Sequence, residues 1–176
     1  MNGLFAEAEL LPPEWQPVLL GGLFQRFDRE SWASGAGREA EVEEVERRAE
    51  SYRLQPLRWP DPFPANTLFA MRTATYAKQI GRAVSFSLAA FRQAFAAGRD
   101  LSEPDNVLLA AAACELHPRA VHSAVASRGT KAALREATER AGDLGVLGVP
   151  SLVVGNEVFW GDDRLGDAIS AARQAA

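Results

Sequence analysis

Apolar residues recur at helical spacing through the middle of the chain. Between residues 38 and 52 they fall three or four positions apart, with Glu and Arg filling the intervening positions: Val42, Val45, Ala49 and Tyr52. This spacing predicts an amphipathic helix with one apolar face. A second helix is predicted from Leu68, which either Asn66 or Thr67 can cap.

The clearest helix is predicted over residues 80–97. Large apolar residues form one stripe along it, namely Ile80, Val84, Leu88, Phe91 and Phe95. Alanines form a second stripe beside the first, namely Ala83, Ala90, Ala94 and Ala97. Gly98 follows where a helix often ends with a left-handed residue.

Further helices are indicated by their end signals. A short helix over residues 3–11 stops at Pro12-Pro13, and another begins after Ser102, with Pro104 in its first turn and its end near Leu116. Two more begin at His117-Pro118 and at a Thr130 cap. Between residues 55 and 64 four prolines predict an extended connector.

Strand patterns lie only near the two ends of the chain. Residues 14–20 predict an edge strand bent at Pro17 and broken by Gly21-Gly22, because proline cannot donate to a ladder. After residue 145 come a turn, a strand at 151–154, a two-residue hairpin turn and a returning strand at 157–160, then a closing helix. This order predicts an α/β domain (1–27 and 128–176) interrupted by a helical insertion (28–127).

Composition and charge exclude several classes of protein. The 176 residues carry a net charge of −4, which argues against a nucleic-acid partner because phosphate binding relies on Lys and Arg. The single cysteine, Cys114, cannot form an internal disulfide and is expected to be a small buried apolar residue in a reducing cytoplasm. The acidic start of the chain is unlike a secretory leader, and the apolar runs fall short of a membrane span. No metal site is expected, since His117 and His122 lack ligand spacing.

Four phrases carry a resemblance to a known family. They are PVLLGGLF at 17–24, RWPDPFPANTLFAMR at 58–72, FRQAFAAGRDLSEPDNV at 91–107 and GVLGVPSLVVGNEVFWGDDRL at 145–165. Together they resemble the 2-hydroxychromene-2-carboxylate isomerase and kappa-class glutathione transferase family, within the DsbA-like thioredoxin superfamily. The resemblance implies a thioredoxin-like α/β fold with a large all-helical insertion, its first βα element here partly missing.

The resemblance also implies a glutathione site at the closing ββα segment. Val149-Pro150 is then a cis peptide that frees the Val149 backbone to pair with the cysteinyl unit, whereas a trans proline would only open a strand. Asp162 and Asp163 lie where similar proteins hold the γ-glutamyl end, although two such residues can equally cap a helix.

Further residues are implied to line a substrate cleft. Asn66 falls where family members face the cleft, and its alternative role, compatible with the first, is the helix cap. Trp59 and Trp160 could face the same cleft, but aromatic residues beside prolines and at strand ends more often belong to a core.

Two departures from the family bear on catalysis. Similar proteins carry a thiol-activating Ser in an SPYS-like turn near their start, whereas this chain aligns from Met1 with the far end of the following helix and has no Ser before Ser31. The catalytic residue is therefore unknown. We expect that the true start of the protein lies upstream of Met1, and not that the protein is a natural short form. Residues 25–38 also lack the family's Asn-Pro turn and lysine, leaving Arg26, Arg29 and Arg38 as substitutes.

The implied activity is glutathione-dependent isomerisation or conjugation of a small aromatic substrate or electron-poor alkene by a homodimer. One alternative is a non-catalytic protein that binds a thiol or an extended peptide by strand addition. A DsbA-type oxidoreductase is disfavoured because the chain has no CxxC motif.

Overall fold

The computed structural model describes residues 2–175, which form two compact units. The terminal unit contains the chain up to Arg29 and from Glu136 onward, and the helical unit contains Glu30–Arg135. The α-helices are α1 (Asn2–Glu7), α2 (Leu20–Arg26), α3 (Arg38–Ser51), α4 (Leu68–Gln79), α5 (Ala83–Phe91), α6 (Pro104–Ala112), α7 (Pro118–Ala126), α8 (Arg128–Asp143) and α9 (Leu165–Ala175). None of the helices in the described range is long and apolar enough to cross a membrane.

Helices α4, α5, α6 and α7 form the core of the helical unit. Phe86, Val107 and Val121 are fully buried there, surrounded by alanines from α4, α5 and α6. Small side chains let the helix axes approach closely, so a core rich in alanine packs without large cavities. Cys114 is buried in this cluster, as the sequence predicts.

The predicted helix over residues 80–97 is divided in the structure. Gly81, at φ +73°, ends the preceding helix α4, and α5 begins only at Ala83. A π-helical turn, Arg92–Ala96, follows α5. Leu88 and Phe91 of the large apolar stripe are 43% and 53% exposed. Phe86 and small alanines take the inward face, where α5 meets α4 and α6.

Two other helix ends differ from the predictions. Ser127, not Thr130, caps α8: its hydroxyl accepts the Thr130 N–H at 3.1 Å while its own backbone is extended. Helix α6 ends at Ala112 rather than near Leu116, because a turn with Glu115 at φ 62° follows it. His117 caps α7 by accepting the Arg119 N–H through Nδ1.

The terminal unit contains a β-hairpin and a closing helix. Strands β1 (Ser151–Val154) and β2 (Glu157–Trp160) pair antiparallel, with Val154 opposite Glu157, and a 3₁₀ turn (Asp162–Arg164) leads into α9. Buried apolar side chains come from α2, the 145–150 turn, β2 and α9, namely Leu23, Val146, Phe159 and Ala168. The predicted ββα order is confirmed.

The predicted strand over residues 14–20 does not form. Pro13, Trp15 and Pro17 are more buried than Glu14 and Gln16, so the segment keeps strand-like alternation, yet it joins no ladder of the described residues. Prolines remove the donors that a ladder needs. The Leu19 N–H instead donates to the Thr138 hydroxyl at 3.0 Å.

Gly21-Gly22 lies inside helix α2, not at a break. A Cβ on Gly22 would lie 3.1 Å from the Thr138 Cγ2 atom, so a glycine permits the close approach of α2 to α8.

Candidate ligand-binding site

The turn before β1 presents an unpaired stretch of backbone. Val149-Pro150 is a cis peptide, as predicted, and Val149 is 47% exposed. No hydrogen bond among the described residues reaches the Val149 N–H or C=O, whereas the Pro150 C=O accepts the Gly161 N–H at 3.0 Å. The Val149 backbone is therefore available to a ligand that presents its own amide groups.

The side chain of Trp160 supports this turn. A Cβ on Gly148 would lie 2.7 Å from the indole Cε2 and Nε1 atoms, so the ring rests against the Gly148 backbone. The guanidinium of Arg29 stands over the same ring, 4.8 Å from its centroid. Such cation–π contacts hold both groups in place at a partly exposed site. Trp160, suggested above as a cleft or core residue, packs on the turn itself.

Asp162 and Asp163 begin the 3₁₀ turn directly after Gly161. Gly161 has φ +111°, a conformation open to glycine, and the Asp163 Oδ1 atom occupies the space where a Cβ would stand. Both aspartates already interact within the protein. The bond from Gly161 to Pro150 brings them beside the Val149-Pro150 turn, so the four predicted ligand residues of the terminal unit lie together.

The outer edge of β1 pairs with no further strand of residues 2–175. In an antiparallel pair, hydrogen-bonded and non-bonded positions alternate, and the Gly161–Pro150 bond fixes Leu152 and Val154 as the bonded ones. Ser151 and Val153 therefore direct their N–H and C=O groups away from β2. The Ser151 hydroxyl donates to the Gly148 C=O at 2.7 Å, which ties the start of the strand to the turn.

Trp59 lies in an aromatic cluster of the helical unit. Its ring centroid is 4.9 Å from that of Phe63, 5.9 Å from that of Phe95 and 6.1 Å from that of Trp32. Its indole N–H donates to the Glu46 carboxylate at 2.8 Å. These contacts match the packing role that the sequence left open for Trp59.

Asn66 hydrogen-bonds the first residue of α4, while its role in a substrate cleft stays a prediction. Its Oδ1 atom accepts the Leu68 N–H at 3.1 Å at the start of α4. Asn66 also lines a shallow cavity of about 290 Å³ together with Leu68, Phe69, Arg72 and Ser102. The aromatic cluster contributes no residue to this cavity, so Asn66 and Trp59 occupy different parts of the unit.

The sequence analysis did not identify three residues at or near this cavity as candidate site residues. Asp100, read there as part of a solvated loop, accepts the Ser102 N–H at 2.8 Å and the Ser102 hydroxyl at 2.5 Å. These two bonds hold the pKa of the Asp100 carboxyl below its ordinary value of 3.8. Arg72 and Ser102 both lie within the family phrases quoted above. Their separation along the sequence does not show that they line the same cavity.

Comparisons with known proteins identify the family of this chain. Residues 28–171 match the family of DSBA-like thioredoxin domains. The chain belongs to this DSBA-like family. A 2-hydroxychromene-2-carboxylate isomerase of Sphingobium xenophagum is 30% identical over 122 residues, which are 69% of this chain and 61% of that protein.

A solved structure shows the same fold for this DSBA-like chain. It is a 2-hydroxychromene-2-carboxylate isomerase with a TM-score of 0.81 at 20% identity, matched over 98% of this chain and 85% of that one. The predicted fold class is confirmed: a DSBA-like thioredoxin fold, mostly helical, with a small two-stranded sheet. The chain thus spans about three fifths of the curated relative and most of the structural neighbour.

Proposed function

We propose that this chain serves glutathione-dependent isomerisation or transfer of the 2-hydroxychromene-2-carboxylate isomerase type, acting on a small aromatic or electron-poor alkene. The observation that carries the proposal is the exposed Val149 backbone, which has no hydrogen-bond partner among the described residues. The similarity to an isomerase over 69% of the chain supports the reaction type. We also propose that the protein is cytoplasmic and forms a homodimer.

The residues of the turn fit the two ends of glutathione. Val149 would exchange two backbone hydrogen bonds with the cysteinyl unit, as strands do. Asp162 and Asp163 would face the ammonium group of the γ-glutamyl end, because a carboxylate stabilises a nearby cation. When bound, glutathione would supply a thiolate nucleophile for reversible addition to the substrate double bond.

The proposal leaves one role outside the described residues. The family resemblance implies a Ser hydroxyl that favours the thiolate, and no Ser precedes Ser31 in this sequence. We assign this role to no residue of the given sequence. The present chain would then bind glutathione without catalysing the reaction.

Calorimetry and an isomerase assay test the proposal together. The chain as given should bind glutathione weakly and show no turnover, while a protein extended upstream in the same reading frame should bind more tightly and isomerise 2-hydroxychromene-2-carboxylate. Asp163→Asn should weaken glutathione binding about threefold to tenfold by removing a charge-assisted contact. Asp143→Asn is the matched control, because Asp143 is an exposed carboxylate paired with Arg26 in the same unit. An extended protein that neither binds glutathione nor turns over substrate would contradict the proposal.

A second candidate function is favoured by the open edge of β1. Val149, Ser151 and Val153 could hydrogen-bond an extended peptide by strand addition, without any catalysis. A Val/Thr-alternating peptide should then bind whether or not glutathione is present, and N-methylation of its alternate amides should abolish binding. Val153→Pro, which removes an edge-facing donor, should do the same. Competition between glutathione and the peptide would favour the enzymatic proposal instead.

A DsbA-type oxidoreductase stays disfavoured. The sequence contains one cysteine, and Cys114 is buried in the helical core, so the chain has no dithiol to exchange.

A further inference from the structure

The outer edge of β1 starts at the turn that Trp160 supports. Val149, Ser151 and Val153 present their backbone N–H and C=O groups at this edge. Ser151 lies opposite Trp160 in the register of the hairpin. Residues 149–153 extend over about 13 Å at the rise of a strand, so an added strand of about five residues covers the edge.

Arg29 places a positive charge at one end of this edge. Its side chain is exposed, and the guanidinium lies 4.8 Å from the centroid of the Trp160 ring. Because the same ring contacts the Gly148 backbone, the guanidinium lies at the turn end of the edge and away from the hairpin end at Val154. All of these residues belong to the terminal unit.

The guanidinium of Arg29 is available to a ligand. No ion pair or hydrogen bond of this group occurs among residues 2–175. Arg26, by contrast, pairs with Asp143 at 2.8 Å and donates to the Glu139 C=O at 3.1 Å. A guanidinium has five N–H donors in a planar fork that matches a carboxylate, and stacking on an indole ring leaves these donors free. Arg29 can therefore bind an anionic group of a ligand that lies at the turn.

The position of this charge favours one direction for an added strand. A strand antiparallel to β1 runs from Val153 toward Val149, so its C-terminal carboxylate ends beside Arg29. A parallel strand would bring its N-terminal ammonium group to the same place, where Arg29 repels it. We propose that the edge of β1 binds the free C-terminus of an extended peptide, antiparallel to β1, with the terminal carboxylate on Arg29. The proposal rests on the strand-addition function given above and specifies which end of a peptide is bound.

Two aspartates beside the turn act against this preference. Asp162 and Asp163 follow Gly161 directly and already interact within the protein. The Gly161 N–H donates to the Pro150 C=O, which brings both carboxyl groups beside the turn. Their negative charge repels a carboxylate, whereas it attracts the ammonium group of glutathione. Asp163→Asn should therefore tighten the binding of a peptide carboxylate about twofold, although the same change should weaken glutathione binding. These opposite signs separate the two proposals.

NMR titration of the isotope-labelled chain with two hexapeptides tests the proposal. Both have the sequence Thr-Val-Thr-Val-Thr-Val and an acetylated N-terminus, and they differ only in a free or an amidated C-terminus. Both should shift the amide resonances of Val149, Ser151 and Val153. The free acid should bind about twofold to fivefold more tightly at low salt, as expected for an exposed ion pair. This preference should disappear in about 0.5 M NaCl, where exposed charges are screened.

Substitution of Arg29 identifies the group that binds the carboxylate. In Arg29→Gln the acid and the amide should bind equally, and the amide should bind as it does to the parent chain, which shows that the turn is intact. Arg29→Lys should keep part of the preference as a point charge without the fork. Arg140→Gln removes an exposed arginine of the same unit in the last turn of α8. It is the matched control and should keep the whole preference.

A nitroxide label on the N-terminus of the acid peptide reports the direction of binding. It should broaden the amide resonance of Val153 more strongly than that of Val149, and the reverse order would overturn the antiparallel arrangement. Equal affinities of acid and amide for the parent chain, or a preference that survives in Arg29→Gln, would overturn the role of Arg29 and leave strand addition in place. If neither peptide shifts a resonance at about 5 mM, strand addition and C-terminal binding both fail.

Discussion

The indole of Trp160 rests directly on the backbone of Gly148. Three ring atoms lie within 2.8 Å of the point where a Cβ of residue 148 would stand, closer than real Cβ contacts come. This contact links the last residue of β2 to the turn that presents the Val149 backbone. The position of the proposed ligand-binding turn thus depends on a residue that has no side chain.

Gly148→Ala should displace the indole and destabilise the protein. Overpacking of this kind costs about 1–3 kcal/mol in the free energy of unfolding, here softened because Trp160 is partly exposed and can move. Urea denaturation followed by tryptophan fluorescence measures the change. Gly166→Ala is the control, since nothing lies within 4 Å of its Cβ position in α9. That substitution should stabilise the helix by about 0.5–1 kcal/mol, and equal effects at both glycines would refute the contact.

Thr138→Val should cost stability although it preserves side-chain shape. The Thr138 hydroxyl accepts the Leu19 N–H at 3.0 Å, and an unpaired N–H that is shielded from water costs about 1–3 kcal/mol. Thr138→Ser keeps the acceptor and loses only the methyl group that packs near Gly22, so it should cost less. Chemical denaturation of the three proteins gives the comparison, and a Val variant as stable as wild type would show that the bond contributes nothing.

Trp59→Ala should be among the most destabilising changes in the helical unit. It removes contacts with three aromatic rings and the bond to Glu46, at a cost of about 2–4 kcal/mol for a half-buried tryptophan. Trp59→Phe keeps most ring packing but leaves Glu46, which is exposed, to bond with water. Its cost should therefore be below about 1.5 kcal/mol, measured by thermal unfolding. If the Ala and Phe variants lose similar stability, the hydrogen bond to Glu46 and not the ring packing accounts for the loss.

The Asp100–Ser102 pair should make stability fall in acid. The pKa of Asp100 lies below 3.8 in the folded state, first because of the Ser102 hydroxyl and then because of the Ser102 N–H. A lowered folded-state pKa stabilises the protein above the unfolded-state value, and this stabilisation is lost as pH falls through the folded-state value. NMR titration of the Asp100 carboxyl should show its pKa rising toward 3.8 in Ser102→Ala. An unchanged pKa in that variant would exclude the hydroxyl as the cause.

Local signals in the sequence were sufficient for several elements. Pro104 and His117-Pro118 mark helix starts, and the Gly155-Asn156 pair marks the hairpin, because these residues restrict or permit backbone angles within a few positions. Such features need no distant partner, so the chain reveals them directly. The cis isomer of Val149-Pro150 was implied by the family resemblance instead, because a Gly-Val-Pro sequence alone does not fix the isomer.

Other features depended on neighbours that are remote in sequence. The segment over residues 14–20 has strand-like alternation but forms no ladder of the described residues, because a strand requires a partner as well as a pattern. Likewise Leu88 and Phe91 have helical periodicity yet stay exposed, since Phe86 and the alanines of α5 fit the space beside α4 and α6.

The sequence by itself determined the fold family, the closing ββα segment and the residues of the turn before β1, since these follow from backbone preferences and short specific phrases. Only the tertiary structure decided that Trp160 supports Gly148, and that Arg72 and Ser102 line one cavity with Asn66. Residues 72 and 102 meet because helix packing brings α4 beside the loop before α6, and the sequence carries no local signal of that approach.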